Sequence, residues 1–525
     1  MEIQNRAPAS PQWVGSGERR GLDPLGMQSA GIELYQSLVP GLGNVTLRMR
    51  YYGLYAWLAF TYAQKVTSED PEVWRHFLRR AEALYALIAV AADDSDGVAG
   101  SEWAKKELSA AANGSIALHT ESTPSAPHLK QSFGAFGAAY GSPLYDLNIL
   151  FENPKHRIPV ASPELGQRLA QAFADAAGDA INAFFEAILS RSVKTEALKL
   201  MARLAPSRIG VDSLERRCYQ DIMFEVKDSV RHAARRDTLH LILEVAAQSA
   251  SRLYVPIFRW AMYTGSLPGG RPLSLGSEAL RKRREQWWLY HANDLMHVCL
   301  EGLLAYLLDL LEAEFSGGAS METLVHYAVT SVVEGCSAAE DTWRSFSERT
   351  LSTIDVVSED GSVAEQSLTE ALLAGRRVGK GASKGDYAID ALRLLALLQL
   401  RTSGHSEVAK ERFGDFKPEI TRTLLSELAF LERHADEPLQ ETLSLLLRER
   451  VLRRHLWIAV QKLRYQNAYT FLFDLDNGLL TLRKKDGPVL TNPRISPAIT
   501  FLHDIHLLSD QGVTSLGLAL MRTAP

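Results

Sequence analysis

The segment Gly31–Ala63, GIELYQSLVPGLGNVTLRMRYYGLYAWLAFTYA, restricts the fold more than any other stretch of this chain. Pro40-Gly41-Leu42-Gly43-Asn44 divides it, because proline lacks a backbone N–H and glycine favours turns. Apolar residues recur at three- and four-residue intervals on both sides, so two helices joined as a hairpin are expected. At about 100° per residue, Arg48, Tyr51, Tyr52 and Tyr55 share a face of the second helix, while Leu54, Trp57, Leu58 and Phe60 cover the rest. A helix apolar nearly all round has to be buried. The Arg/Tyr face is therefore read as a structural core face for later helices, although arginine with phenols also suits base stacking and phosphate binding.

Residues 1–26 are rich in Pro, Gly and charge and are expected to form an N-terminal arm. Residues 27–160 then hold the hairpin, a helix opening at Asp70-Pro71, and a loop-rich tract with Gly134, Gly137 and Gly141 among aromatics. Residues 161–354 read as a helical domain, from a cap at Ser162 through a long apolar helix over about Glu278–Phe315. Residues 355–385 break the helical pattern and read as a flexible linker. Its Gly375–Lys380 run falls one residue short of a phosphate loop and lacks the hydroxyl residue after the lysine. Residues 386–525 resume as helices, then alternate apolar and polar residues about Asp476-Asn477-Gly478, the pattern of a β-hairpin. The expected fold is mainly α: a multi-helix body with a small C-terminal α+β module of winged-helix-like pattern.

Composition excludes several classes. A net charge of −5 argues against wholesale coating of nucleic acid, so any such contact must be local. Three scattered cysteines form neither a zinc ribbon nor a disulfide framework. The opening residues carry no apolar leader, and the most apolar segments are too short and too charged to span a bilayer. A cytoplasmic protein without membrane contact is expected.

Two Arg-to-His spacings, Arg235 to His240 and Arg284 to His291, match the pattern of HEPN-type ribonucleases. In those enzymes arginine holds a phosphate and histidine moves a proton. With 14 histidines such pairs arise by chance, and structural roles are the simpler expectation. His291, Asp294, His297 and Glu301 fall within an arc of about 120° on the long helix, a donor set able to take a divalent cation. The stripe continues through Asp309 and Glu312, so a solvent-facing edge is the expected reading, with no metal or other cofactor. A basic helix carrying Arg448, Arg450, Arg453, Arg454, Lys462 and Arg464 leads into the hairpin and is the candidate nucleic-acid face. None of the hydrolase, metalloprotease, kinase or deaminase motifs occurs, so the sequence gives no support for catalysis.

The segments DPLG (Asp23–Gly26), LVPGLGNVTLRMRYYGLYAWL (Leu38–Leu58) and WWLYHANDLMHVCLEGLL (Trp287–Leu304), with the tail, resemble a group of large helical bacterial proteins found beside anti-phage defence genes. That resemblance implies a subunit of a multi-protein defence assembly and supplies no catalytic residues; an ATPase or nuclease is the expected kind of partner. The reading is a non-enzymatic helical subunit of a bacterial defence or DNA-handling complex that binds partner proteins and DNA or RNA. The rival reading is a HEPN-like ribonuclease using an Arg/His pair.

Overall fold

Helical periodicity governs most of the chain, and the strands are short. The computed structural model describes residues 23–523 apart from 112–113, 121–126, 226–229, 250–251, 358–361, 376–385 and 418–419. The N-terminal arm therefore lies outside the described residues except for 23–26, as does the Arg376–Lys380 run.

Helices α1 (Gln28–Leu38) and α2 (Arg50–Thr61) form the hairpin, and α2 ends in a π-helical turn at Tyr62–Val66. α3 (Pro71–Ala91) starts with proline at its first position, and Asp70 accepts a hydrogen bond from the Glu72 amide at 2.9 Å. α4 (Gly166–Ala177) and α5 (Leu214–Phe224) lie against the hairpin, and Gly53 makes that approach possible. A Cβ there would sit 2.2 Å from the Tyr219 hydroxyl and 2.9 Å from the Phe173 ring. α2 thus packs across the segment boundary expected near residue 160.

The centre of the molecule is α8 (Glu278–Ala313), reached after α6 (Val230–Gln248) and α7 (Val255–Thr264). Its 36 residues extend about 54 Å. From Gln286 to Glu301 every residue is buried, which matches a helix apolar on all sides. Around it stand α1, α6, α7, α9 (Ala364–Gly375), α10 (Asp386–Ser403) and α11 (Leu424–Arg433). The linker expected over 355–385 therefore contains a helix. Glu365, Thr369 and Leu372 are buried on α9, and Glu365 accepts from Arg401 at 2.8 Å.

A short helix at Leu439–Leu445 passes through a π-helical segment, Leu446–Leu452, into α12 (Arg453–Gln466). Among the described residues, four antiparallel two-stranded ladders complete the fold. β1 (Ser115–Ala117) pairs with β4 (Ser192–Lys194), and β2 (Leu150–Glu152) with β3 (Pro159–Ala161). β5 (Phe473–Asp476) pairs with β6 (Leu479–Leu482), and β7 (Leu508–Ser509) with β8 (Gly512–Val513). Asn477 and Gly478 both take positive φ, as a tight hairpin turn between β5 and β6 requires. The last two ladders remain separate, with α13 (Ile495–Asp504) between them in the chain. Buried apolar side chains form one connected cluster from Leu25 to Leu508. Among the described residues, no helix is long and apolar enough to cross a membrane.

Candidate functional site

Four polar residues of α8 meet inside the core. His291, Asp294, His297 and Glu301 are each at most 3% exposed, so the solvent-facing edge expected from their spacing is a buried polar cluster. Only the continuation of the stripe reaches the surface, where Lys485 pairs with Asp309 at 2.6 Å and also with Glu312. The reason is coverage from a distance: the 489–491 segment and residues 23–28 lie over this face. Asp294 pairs with Arg259 of α7 at 2.7 Å and accepts from the Thr491 amide and hydroxyl at 3.1 and 2.8 Å. Arg259 also donates to the Thr491 carbonyl. Burial would raise the Asp294 carboxyl, but His297 and then Arg259 outweigh it and hold that carboxyl far below its ordinary range.

His297 stands between two carboxylates. Its Nε2 lies 2.7 Å from Glu301 Oε1, and its Nδ1 lies 3.7 Å from Asp294 Oδ1. Neither His297 Nδ1 nor Glu301 Oε1 makes a hydrogen bond among the described residues. Asp23 completes the group, its carboxylate within 4.8 Å of the donor atoms of His297 and Glu301. The aspartate is itself fixed, since its Oδ1 accepts from the Met27 and Gln28 amides at 2.9 and 3.2 Å. Burial opposes charge on His297, but Glu301 and Asp294 prevail and raise its pKa well above the ordinary value; burial also raises Glu301.

The ribonuclease candidates do not converge. Arg235 is buried and donates to the carbonyls of Ile222 and Met223 at 2.8 and 3.1 Å, closing the end of α5. His240 packs on the Phe224 ring, and burial lowers its pKa to about 4. Arg284 pairs with Glu285 near the surface, while His291 is buried beside Trp287 and Tyr290, about 10 Å further along the helix. Neither pair presents both groups to an accessible phosphate.

The basic helix divides by face. Arg450 lies 4.4 Å over the Phe430 ring beside buried Glu427, and Arg454 donates to the carbonyls of Leu25 and Ile420. Lys462 donates to the Asp23 carbonyl at 2.8 Å. These three work inside the fold, and the candidate nucleic-acid set reduces to Arg448, Arg453 and Arg464. Arg448 and Arg453 both pair with Glu449, at 3.1 and 2.7 Å. Along the outer face of α12, Arg453, Trp457, Val460 and Arg464 follow at helical spacing, with Trp457 39% and Val460 47% exposed. Leu463 and Tyr465 flank them, and Tyr469, Leu475 and Leu479 are exposed on the following segment.

No family model, curated protein or solved structure matches this chain. Its site residues rest on their geometry alone.

The Arg/Tyr face is built differently from its helical-wheel reading. Arg48 precedes α2 outside any regular element, and reaches Asp94 at 3.2 Å and Asp504 of α13 at 3.1 Å. Tyr51, Tyr52 and Tyr55 are buried with Tyr85 and Tyr140, and Tyr51 stacks on Tyr140 with ring centres 4.6 Å apart. Tyr52 donates to the Gly41 carbonyl. Tyr55 donates to Glu82 at 2.8 Å, and Glu82 also accepts from the Ala135 and Phe136 amides at 2.9 and 2.7 Å. Gly134 is required beside it: its φ is +55°, and a Cβ would lie 1.8 Å from the Glu82 carboxylate. Sequence reasoning missed Arg50, which is fully buried and doubly bonded to Glu215 at 2.9 and 3.0 Å, as well as Asp23 and Arg259. For Arg50 the sequence signal was its place within an otherwise apolar helix.

Proposed function

We propose that this protein is a non-catalytic helical subunit of a bacterial multi-protein assembly, of the anti-phage defence or DNA-handling kind its resemblance implies. The outer face of α12 is its partner-docking surface. The observation that carries this reading is the exposed Arg453–Trp457–Val460–Arg464 stripe, continued by exposed aromatic and aliphatic side chains toward the hairpin. Tryptophan, tyrosine and arginine dominate the energetics of protein interfaces, because each covers much area at low entropic cost or donates in a fixed geometry. The inner face of the same helix is fixed by Arg454, His455 and Lys462, so the outer face is presented on a rigid support. In this reading the C-terminal hairpin and α13 extend the docking surface, and a winged-helix-like grip on nucleic acid is secondary. Asp504 holds α13 against Arg48 and the Met49 amide, which favours a docking element over a DNA-reading helix.

Affinity capture of the full chain from its native cells, with a nuclease-treated control, tests the proposal. Wild type is expected to retain a defined protein partner after nuclease treatment, and Trp457→Asp to lose it while keeping its far-UV circular dichroism. The proposal fails if W457D/V460D captures the same partner, or if no protein survives the nuclease. If nucleic acid binds here through the three surface arginines, the slope of log K against log salt should be no steeper than about −3.

A further inference from the structure

The buried group on α8 has the chemistry of a cation site. Asp23, His297 and Glu301 each present one donor atom, all within 4.8 Å of one another. His297 Nε2 and Glu301 Oε1 are 2.7 Å apart, yet that oxygen makes no hydrogen bond among the described residues, and both residues are at least 97% buried. A buried carboxylate oxygen without a donor is costly. A cation shared by the three groups supplies what that oxygen lacks.

We propose that Asp23, His297 and Glu301 bind one first-row divalent cation, with Asp294 orienting His297 from behind. Metal-bound histidines keep their ring in place by directing the second nitrogen at a carboxylate. Asp294 Oδ1 stands 3.7 Å from His297 Nδ1 and is itself held by Arg259 and Thr491, which gives the rigid backing that such a pair requires. Gln28 lies with its amide nitrogen 3.4 Å from His297 Nε2, and turning that amide over brings its oxygen toward the same point. One imidazole with two carboxylates favours Zn²⁺, Mn²⁺ or Fe²⁺ over the all-oxygen preference of Ca²⁺ and Mg²⁺. Asp23 is half-buried, so the site opens to solvent on its side.

The position of the site gives binding a structural consequence. Asp23, Pro24 and Leu25 give their carbonyls to Lys462, His455 and Arg454 of α12. A cation on Asp23 would tie this strap to α8 and thereby fix the helix that carries the docking face.

The experiment uses the full-length protein, stripped with chelator and titrated separately with Zn²⁺ and Mn²⁺ by calorimetry, with total metal determined by mass spectrometry. One equivalent of at least one cation per chain is expected, with affinity at least about tenfold weaker in Asp23→Asn and Glu301→Gln, and about 10–100-fold weaker in Asp294→Asn. Co²⁺ should give d–d absorption bands in wild type that His297→Ala lacks. Asp23 lies at the half-exposed end of the strap, so D23N keeps the test valid if the core variants do not fold. Failure of wild type to take up either cation, or unchanged affinity in folded D23N, would overturn the proposal.

Discussion

Glu82 is the residue at which burial acts most visibly on charge. Enclosed by Tyr55 and two backbone amides, it has its pKa raised to about 7 by burial, which those three donors only partly offset. The unfolded chain loses this proton near pH 4.5, whereas the folded protein keeps it to about pH 7. Between those values the unfolded state binds fewer protons than the folded state, so the contribution of Glu82 to stability declines as pH rises. The decline amounts to about 3 kcal/mol across the window. His128, His240 and His455, each lowered by burial to about 4, act in the opposite sense, because the unfolded chain takes up protons that these rings refuse. The informative quantity is therefore the difference between wild type and Glu82→Gln in urea unfolding at pH 4.5 and pH 7. The variant is expected to gain about 3 kcal/mol relative to wild type over that interval. A constant difference would mean that Glu82 is ionised in the fold.

At the scale of elements, α2 is joined to α5 by an ion pair that water does not reach. Arg50 bonds both oxygens of Glu215 and donates to the carbonyls of Arg203 and Ala205, and Tyr219 donates to the same carboxylate. Arg50→Met leaves a buried carboxylate without its counter-ion, and should cost about 3–5 kcal/mol in chemical denaturation. Replacing both partners, as R50M/E215L, should restore most of that loss; a double variant no more stable than R50M would show that the pair does more than neutralise itself. The same distinction between position and covering explains what was legible in the sequence. The Asp476-Asn477-Gly478 turn and the Asp70-Pro71 helix start could be read directly, because each is decided by residues a few positions apart. The polar arc of α8 was misread because a helical wheel shows which residues share a face but not what lies over it. Thr491, Val489 and Asp23 cover that arc from far along the chain. The basic helix was half legible for the same reason: Arg450 and Arg454 resemble Arg453 in sequence, but they face Glu427 and the Leu25 carbonyl.

At the scale of the molecule, the question is whether a chain of this length unfolds as one unit or several. Length alone favours several, since single cores rarely grow beyond about 250–300 residues. The contacts argue for one. Gly53 seats Tyr219 and Phe173 against α2, α8 is enclosed by helices from both halves of the chain, and Asp504 pairs with Arg48 across nearly its whole length. A sequence division at residues 160, 354 and 385 would therefore cut through packed faces. Scanning calorimetry of the full chain is expected to show one cooperative transition, displaced downward as a whole by Asp504→Ala. That substitution removes the acceptor of the Met49 amide and one of the two carboxylate partners of Arg48 together. Two resolved transitions, only one of them displaced by the substitution, would instead show that the C-terminal segment melts independently of the hairpin it is tied to.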